Sequence, residues 1–215
     1  MAEINPGKPM VIKLVYYGPA MSGKTTNLMR LHDLLKPELI GELMTLETKN
    51  DRTLFFDLLP LGFKTPSGLL VKLKLFTVPG QVQHDSTRKA VLSRADGVVF
   101  VADSQRSQAI NNGESFQNLA DNAGRVGLDF QKLPIVVQYN KRDLPDILTE
   151  EEIVDRWGQA PWPLTFSVAL SGDGVKETFE SLLAQIYGVI DEEHSFNEQH
   201  GMDKNDFVKA VMGVR

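Results

Sequence analysis

The sequence contains no cysteine, which excludes disulfides and thiol chemistry and favours a cytoplasmic location. It also lacks an excess of basic residues, because its net charge is −5. Binding to a nucleic-acid backbone requires a basic surface, so we expect no nucleic-acid partner. No apolar run approaches the roughly 20 residues that cross a bilayer.

Signals for export and for lipid attachment are missing as well. The first ten residues, MAEINPGKPM, contain no apolar segment typical of a secretory signal. Ala2 stands where N-myristoylation needs glycine, and the last four residues, MGVR, contain no cysteine for prenylation. We therefore expect no direct membrane anchor, and a role at a membrane would depend on a protein partner.

The body of the chain alternates strand-like and helical patterns. Apolar runs predict strands at 11–17, 43–48, 54–59, 69–78, 97–103, 134–140 and 164–170, and helical spacing predicts helices at 25–35, 107–125, 149–157 and 175–190. The runs at 97–103 and 134–140 are continuously apolar, which is typical of a sheet covered by helices on both faces. The alternation predicts an α/β fold with a mixed, mostly parallel sheet, and residues 66–68 supply the turn of a hairpin.

The last 25 residues differ from the rest. Residues 191–215 form an acidic extension with six Asp or Glu and three Lys or Arg, and an amphipathic helix is expected over 203–212. Two interpretations are open: a helix packed on the edge of the domain at 1–190, and a segment that docks on a partner. The first is favoured, because short terminal helices usually pack on or fray from their own domain.

A phosphate-binding loop follows the first strand. The stretch GPAMSGKTTN, residues 18–27, contains the pattern G-x-x-x-x-G-K-[ST], with a strand before it and a helix after it. In this loop the backbone N–H groups face the phosphates, the lysine reaches the β- and γ-oxygens, and the threonine hydroxyl binds Mg²⁺. The residues expected to contact the nucleotide here are Gly18, Ala20, Met21, Ser22, Gly23, Lys24, Thr25 and Thr26, with Thr25 as a metal ligand.

A second pattern indicates which base is bound. Asn140, Lys141 and Asp143 form N-K-x-D at the end of an apolar strand. The carboxylate of Asp143 can accept two hydrogen bonds from guanine, and adenine lacks that donor pair. Lys141 can lie along the base, and Asn140 can connect this loop to the phosphate-binding loop. After the next strand, residues 168–170 complete the site: Val168, Ala169 and Leu170, with the Ala169 N–H facing guanine O6.

Two further loops are candidates for sensing and hydrolysing the γ-phosphate. In TVPGQ, residues 77–81, Gly80 can present its N–H to the γ-phosphate and Gln81 can orient the attacking water. In the other loop, Thr53 can bind Mg²⁺ and the γ-phosphate. Arg52 precedes it, and the residues alone leave two alternatives for this arginine: a catalytic cation supplied in cis, and a solvated loop cation.

Together these residues resemble the Ras-like small GTPases, and among them the bacterial MglA family of gliding-motility and cell-polarity proteins. The resemblance is carried over roughly 10–190 by KLVYYGPAMSGKTTNL, NDRTLFFD, LFTVPGQ, DGVVFVADSQ and QYNKRDLP. It implies a switch between GTP and GDP with Mg²⁺, in which a strand and its loops slide when GTP binds. It also implies that Arg52 and Gln81 serve hydrolysis. The implied activator is an MglB-like dimer of the roadblock fold, which positions the switch loops.

Three residues depart from this pattern or need another interpretation. Ala20 stands where most Ras-like proteins carry glycine, so its methyl group is expected to crowd Gln81 and slow hydrolysis, unless the loop accommodates it. Thr77 replaces the aspartate of D-x-x-G and leaves no carboxylate over the waters of Mg²⁺. Asp103 could act as a metal-binding acid, but a strand-end cap is the favoured interpretation.

Two other function classes stay open beside a GTPase switch. A GTP-binding scaffold with negligible hydrolysis is favoured by Ala20. An ATP-using kinase or ATPase is disfavoured by Asp143, because that carboxylate matches the donors of guanine.

Overall fold

The structure is a computed structural model that describes residues 8–47, 55–80 and 85–213, and within these residues it contains one seven-stranded sheet. The strands are β1 Met10–Tyr17, β2 Met44–Glu47, β3 Phe55–Lys64, β4 Leu70–Thr77, β5 Gly97–Asp103, β6 Ile135–Asn140 and β7 Leu164–Phe166. Their order is β2-β3-β4-β1-β5-β6-β7. Strand β3 is antiparallel to β2 and β4, and the other pairs are parallel, so the predicted mixed α/β sheet is confirmed.

Helices cover both faces of this sheet. They are α1 Lys24–Leu34, α2 Asp85–Leu92, α3 Ala109–Arg125, α4 Glu150–Trp157, α5 Val175–His194, α6 Phe196–His200 and α7 Lys204–Met212. One apolar cluster packs β1 against α1, α5 and α7 on one face of the sheet. A second cluster packs the opposite face of the sheet against α2, α3 and α4. Alternation along β1 divides the strand between them, since Tyr16 belongs to the first cluster and Tyr17 to the second.

Local sequence signals explain several of these boundaries. The β3–β4 hairpin turns at residues 66–68 as predicted, where Gly68 has a φ of 87° and its N–H donates to Thr65. Helix α4 begins with the predicted capping box, in which the side chains of Thr149 and Glu152 each accept the other's backbone N–H.

Three predicted boundaries were wrong. Strand β3 continues to Lys64, because Pro60 lies beyond the last residue paired with β2, where a missing N–H costs little. Strand β7 ends at Phe166 rather than at 170, because the following residues turn toward β6. Helix α5 runs past the expected end at 190 to His194. Helix α2 was not predicted.

The expected helix near the end of the chain is present as α7, and Asp203 caps it by accepting the N–H of Asp206. Phe207 is fully buried, and its ring lies 5.7 Å from that of Phe63 on β3 and 5.6 Å from that of Tyr187 on α5. Helix α7 thus packs against β3 and α5, which fits the favoured interpretation of a helix on the domain edge. None of the helices in the described ranges combines the length and apolar character needed to cross a bilayer.

Candidate functional site

The predicted motifs meet at the carboxyl ends of β1, β5 and β6. The loop 18–23 follows β1, Asp103 ends β5, and the loop from 141 follows β6. The carboxyl edge of a parallel sheet is where α/β proteins bind ligands, because the loops of neighbouring strands converge there.

The phosphate-binding loop has a conformation that only glycine allows at two positions. Gly18 and Gly23 have φ angles of 140° and 103°, in the region that side chains disfavour. A Cβ atom on Gly18 would lie 2.2 Å from the Val101 carbonyl oxygen, and one on Gly23 would lie 2.2 Å from Nδ2 of Asn140. The loop is therefore packed against β5 and the end of β6, and its shape fits the predicted phosphate site.

Lys24 lies inside this loop. Its ammonium group donates to the carbonyls of Gly18 at 3.0 Å and Pro19 at 2.6 Å, and the residue is buried. Burial lowers the pKa of Lys24 to about 7, nearby Arg88 acts in the same direction, and the carboxylate of Asp57 opposes them. A bound phosphate group would place negative charge beside this buried ammonium and so stabilise its protonated form.

Asn140 holds three loops together. Its Nδ2 donates to the carbonyl of Ser22 at 2.9 Å, which confirms the predicted connection to the phosphate-binding loop. Its Oδ1 accepts the hydroxyl of Ser167 at 3.0 Å and the N–H of Ala169 at 2.8 Å. The contact of the Ala169 N–H with guanine stays a prediction, as do those of Val168 and Leu170.

Lys141 and Asp143 occupy the other side of the site. The ammonium of Lys141 lies 2.6 Å from Oδ2 of Asp103, and Oδ1 of Asp103 accepts the N–H of Gln105 at 3.0 Å. These contacts match the favoured strand-end role of Asp103. Asp143 is exposed in the same loop, so its carboxylate can accept hydrogen bonds from a base.

The structure brings one unpredicted carboxylate to the phosphate-binding loop. Asp57 on β3 is 7 % exposed, and its Oδ2 accepts the hydroxyls of Thr25 at 2.6 Å and Thr77 at 3.0 Å. The sequence predicts no carboxylate here, because Thr77 replaces the usual aspartate. The available signal was a single polar residue within the apolar run LFFDLL.

Gly80 lies directly on the phosphate-binding loop. A Cβ atom added to Gly80 would lie 2.3 Å from the Cα of Ala20 and 2.4 Å from its nitrogen. Beside this contact an open pocket of about 540 Å³ extends toward α3, bordered also by Pro19 and Arg88. The two loops are thus in direct contact where the γ-phosphate is expected. Arg52, Thr53 and Gln81 lie outside the described residues.

Two buried polar residues that were not predicted stabilise the phosphate-binding loop through hydrogen bonds. Asn27 on α1 is fully buried, and its Nδ2 donates to the carbonyl of Gly23 at 3.0 Å. Gln138 on β6 donates from Nε2 to Oδ1 of Asn27 at 2.9 Å. A buried glutamine inside a continuously apolar strand was the available signal.

Comparison with known proteins agrees with this geometry. The ADP-ribosylation factor family matches this chain over residues 4–186. The mutual gliding-motility protein MglA of Myxococcus xanthus is 46% identical over 170 residues, which cover 79% of this chain and 87% of that protein. The ADP-ribosylation factor-like protein 6 of Caenorhabditis elegans is 24% identical over 184 residues, covering 81% of this chain and 86% of that protein. The chain therefore belongs to the MglA family of bacterial Ras-like small GTPases.

Proposed function

We propose that this protein is a switch that binds GTP, hydrolyses it to GDP and phosphate with the help of a roadblock-type activator, and regulates cell polarity or motility. The observation that carries the proposal is the hydrogen bond from Asn140 to Ser22. It joins the loop that would bind the base to the loop that would bind the phosphates, so both ends of one nucleotide meet a single rigid unit.

Guanine selection is assigned to Asp143. Its carboxylate is exposed beside Lys141, whose stem can lie along a base while its ammonium stays on Asp103. A carboxylate accepts the paired N–H donors of guanine, and adenine offers no such pair, so ATP would leave Asp143 without a partner.

Phosphate binding is assigned to the loop 18–25. Lys24 exchanges its contacts with two main-chain carbonyls for contacts with phosphate oxygens, which favours its charged form. Within residues 8–47, 55–80 and 85–213, no group of three or more His, Cys, Asp or Glu side chains could hold a metal by itself. This fits Mg²⁺, which proteins hold through one or two oxygen ligands and substrate phosphates, here Thr25 and Thr53. When bound, Mg²⁺ would neutralise charge on the phosphate oxygens.

Hydrolysis is assigned to Gln81 and Arg52. Gln81 would orient a water for attack on the γ-phosphorus, the bond to the β-phosphate oxygen would break, and GDP would leave with its electron pair. Arg52 would stabilise the charge that develops during this transfer, an effect worth about 10³–10⁵ in rate where it has been measured. Gly80 precedes Gln81 and lies against Ala20, so the loop that carries Gln81 begins beside the loop that would bind the γ-phosphate.

The biological role is assigned through the relative in Myxococcus xanthus, which is named for mutual gliding motility. At 46% identity a shared switch function is supported. The proposed activator, an MglB-like roadblock dimer, comes from the resemblance to the MglA family. A location in the cytoplasm is part of the same proposal.

The first experiment is nucleotide competition. Purified protein is loaded with fluorescent GDP in the presence of Mg²⁺. GTP is then added to one sample and ATP, at the same concentration, to another. We expect GTP to displace the probe and ATP to leave it bound. Displacement by ATP at equal concentration would contradict the guanine assignment, and Lys24→Ala should abolish binding of the probe.

The second experiment tests hydrolysis. Arg52→Ala and Gln81→Leu should each slow single-turnover hydrolysis in the presence of the roadblock dimer, with little change in nucleotide affinity. Arg156→Ala, which removes an exposed arginine on α4, is the matched control. If Arg52→Ala turns over GTP at the wild-type rate, Arg52 is a solvated loop cation.

A second function is favoured by the contact between Ala20 and Gly80. A loop that already lies on Ala20 leaves little room for a catalytic glutamine, so the protein would act as a GTP-binding scaffold with negligible hydrolysis. Single-turnover hydrolysis of the wild type separates the two functions. Retention of intact GTP with and without the roadblock dimer would favour the scaffold.

A further inference from the structure

We propose that Asp57, from the antiparallel strand β3, takes the place of the aspartate that Ras-like proteins carry at the position of Thr77. In this role Asp57 is a positioning residue that orients the Thr25 hydroxyl toward Mg²⁺. This inference rests on the proposed function, because it assumes that a nucleotide with Mg²⁺ binds in the loop 18–25.

The hydroxyl of Thr25 is already oriented by Asp57. It donates its hydrogen to Oδ2 over 2.6 Å, a distance typical of a charge-assisted O–H···O⁻ bond. A hydroxyl has one hydrogen to donate and two lone pairs to offer. With the hydrogen held by Asp57, the lone pairs of the oxygen remain available to a cation on its other side.

Thr77 holds Asp57 in this position from two directions. Its hydroxyl donates to Oδ2 of Asp57 at 3.0 Å, and it accepts the backbone N–H of Asp57 at 2.8 Å. The register of the hairpin explains the pairing, since Leu58 lies opposite Phe76 and the next residues outward are Asp57 and Thr77. The residue that replaces the usual aspartate therefore anchors a carboxylate from the neighbouring strand.

Burial and charge favour a functional carboxylate at this position. Asp57 is 7 % exposed, and the hydroxyls of Thr25, Thr45 and Thr77 donate to it. Both carboxylate oxygens accept here, whereas asparagine has one acceptor oxygen beside an N–H₂ donor and could not accept all three hydrogen bonds. The negative charge also attracts the buried ammonium of Lys24, so it contributes to the electrostatics of the expected phosphate site.

The opposite role is also testable. If Asp57 competed with Mg²⁺ for the Thr25 hydroxyl, it would inhibit Mg²⁺ binding. Its removal would then strengthen the effect of Mg²⁺ on GDP dissociation. If it orients the Thr25 hydroxyl for Mg²⁺, its removal weakens that effect. The two roles therefore predict changes of opposite sign in one measurement.

The experiment measures how Mg²⁺ slows the dissociation of fluorescent GDP from the full chain. Asp57→Asn keeps the size of the side chain, removes its charge and replaces one acceptor oxygen by an N–H₂ donor. We expect the Mg²⁺ concentration for half-maximal slowing to rise about tenfold or more, while GDP dissociation in EDTA stays within about twofold of the wild type. A general loss of structure would change both values, so the EDTA measurement isolates the positioning role.

Two further variants complete the design. Thr45→Val removes one hydroxyl from Oδ1 of Asp57 and leaves Thr25 untouched, so we expect a Mg²⁺ response near that of the wild type. Asp57→Asn combined with Thr77→Asp returns the carboxylate to β4 and should recover most of the response. If Asp57→Asn does not fold, Asp57→Glu decides, because it keeps the charge and displaces it by one methylene group, and it should weaken the response.

The outcomes separate this inference from the proposed function. A wild type that binds no guanine nucleotide overturns both. A wild type that binds GDP with a clear Mg²⁺ response, beside an unchanged or strengthened response in Asp57→Asn, overturns the role of Asp57 alone. If only Asp57→Glu folds, an unchanged Mg²⁺ response in that variant likewise overturns the role of Asp57 alone.

Discussion

Asn140 and Ser22 are 118 residues apart in the chain and are joined by a hydrogen bond of 2.9 Å from Nδ2 to the carbonyl oxygen. The donor ends β6 and the acceptor lies in the loop after β1. The bond fixes the loop after β1 relative to the carboxyl end of β6, so the loop proposed to bind the phosphates and the loop proposed to bind the base keep one relative position.

Asn140→Ala should therefore weaken both loops. The buried carbonyl of Ser22 and the N–H of Ala169 would each lose a partner, which costs about 1–3 kcal/mol per group. We expect a lower free energy of unfolding in urea and at least tenfold faster dissociation of fluorescent GDP. Asn197→Ala, at an exposed position of α6, is the control, and equal dissociation rates in the two variants would contradict the role of Asn140.

Gly80→Ala should hold the loop after β4 away from the phosphate-binding loop. The added Cβ would lie 2.3 Å from the Cα of Ala20, so one of the two backbones has to move. We expect stimulated GTP hydrolysis to fall at least tenfold while GDP binding changes little. Gly188→Ala adds a Cβ to α5, where nothing lies within 4 Å, and should hydrolyse GTP at the wild-type rate.

Acid should selectively remove the contribution of Glu152. Hydrogen bonds from Arg106 and from the backbone of Thr149 lower the pKa of Glu152 from its ordinary value of 4.5 to about 2. Because the folded pKa is depressed, the stabilisation is complete above about pH 4.5 and is lost as the pH falls toward 2. The Tm difference between wild type and Glu152→Gln should shrink over this range.

The size of that difference will be small, because the pair of Arg106 and Glu152 is exposed to solvent. Glu150→Gln removes a carboxylate from the same helical turn and controls for the loss of charge. A Tm difference for Glu152→Gln that stays constant from neutral pH to pH 3 would show that this pair does not titrate as described.

Phe207→Ala should destabilise the protein without changing its preference for nucleotides. The ring is fully buried between Phe63 and Tyr187, and truncation of such a side chain costs about 3–5 kcal/mol. Val208→Ala, at a partly buried neighbour, should cost less. We propose that residues 191–215 cover the edge of the domain at 1–190, and a changed ratio of GTP to GDP affinity in Phe207→Ala would indicate a further role.

Two errors of prediction have different physical causes. The apolar run at 164–170 predicted a long strand, yet β7 stops at Phe166 because the side chain of Asn140 takes the N–H of Ala169. Helix α2 was missed although Val91 and Leu92 are buried, because its first turn follows residues without a clear helical pattern. At β7 a contact with a distant element outweighs the local pattern, whereas at α2 the local pattern is too weak to predict a helix.

The sequence by itself determined the fold class and the family of the protein. The phosphate-binding loop, the N-K-x-D motif and the alternation of strands and helices are local patterns, and each is recognisable because backbone stereochemistry and hydrophobic periodicity act over a few residues. These patterns were sufficient for the fold class, the family and the connection between Asn140 and the phosphate-binding loop.

Only the tertiary structure decided which carboxylate lies beside Thr25. Asp57 is 32 residues from Thr25 and 20 residues from Thr77, and nothing within a local window brings them together. The register of an antiparallel hairpin does so, and that register is set by which side chains of the entire sheet become buried. The placement of α7 over β3 has the same origin, because apolar faces find their partners only when the rest of the fold is present.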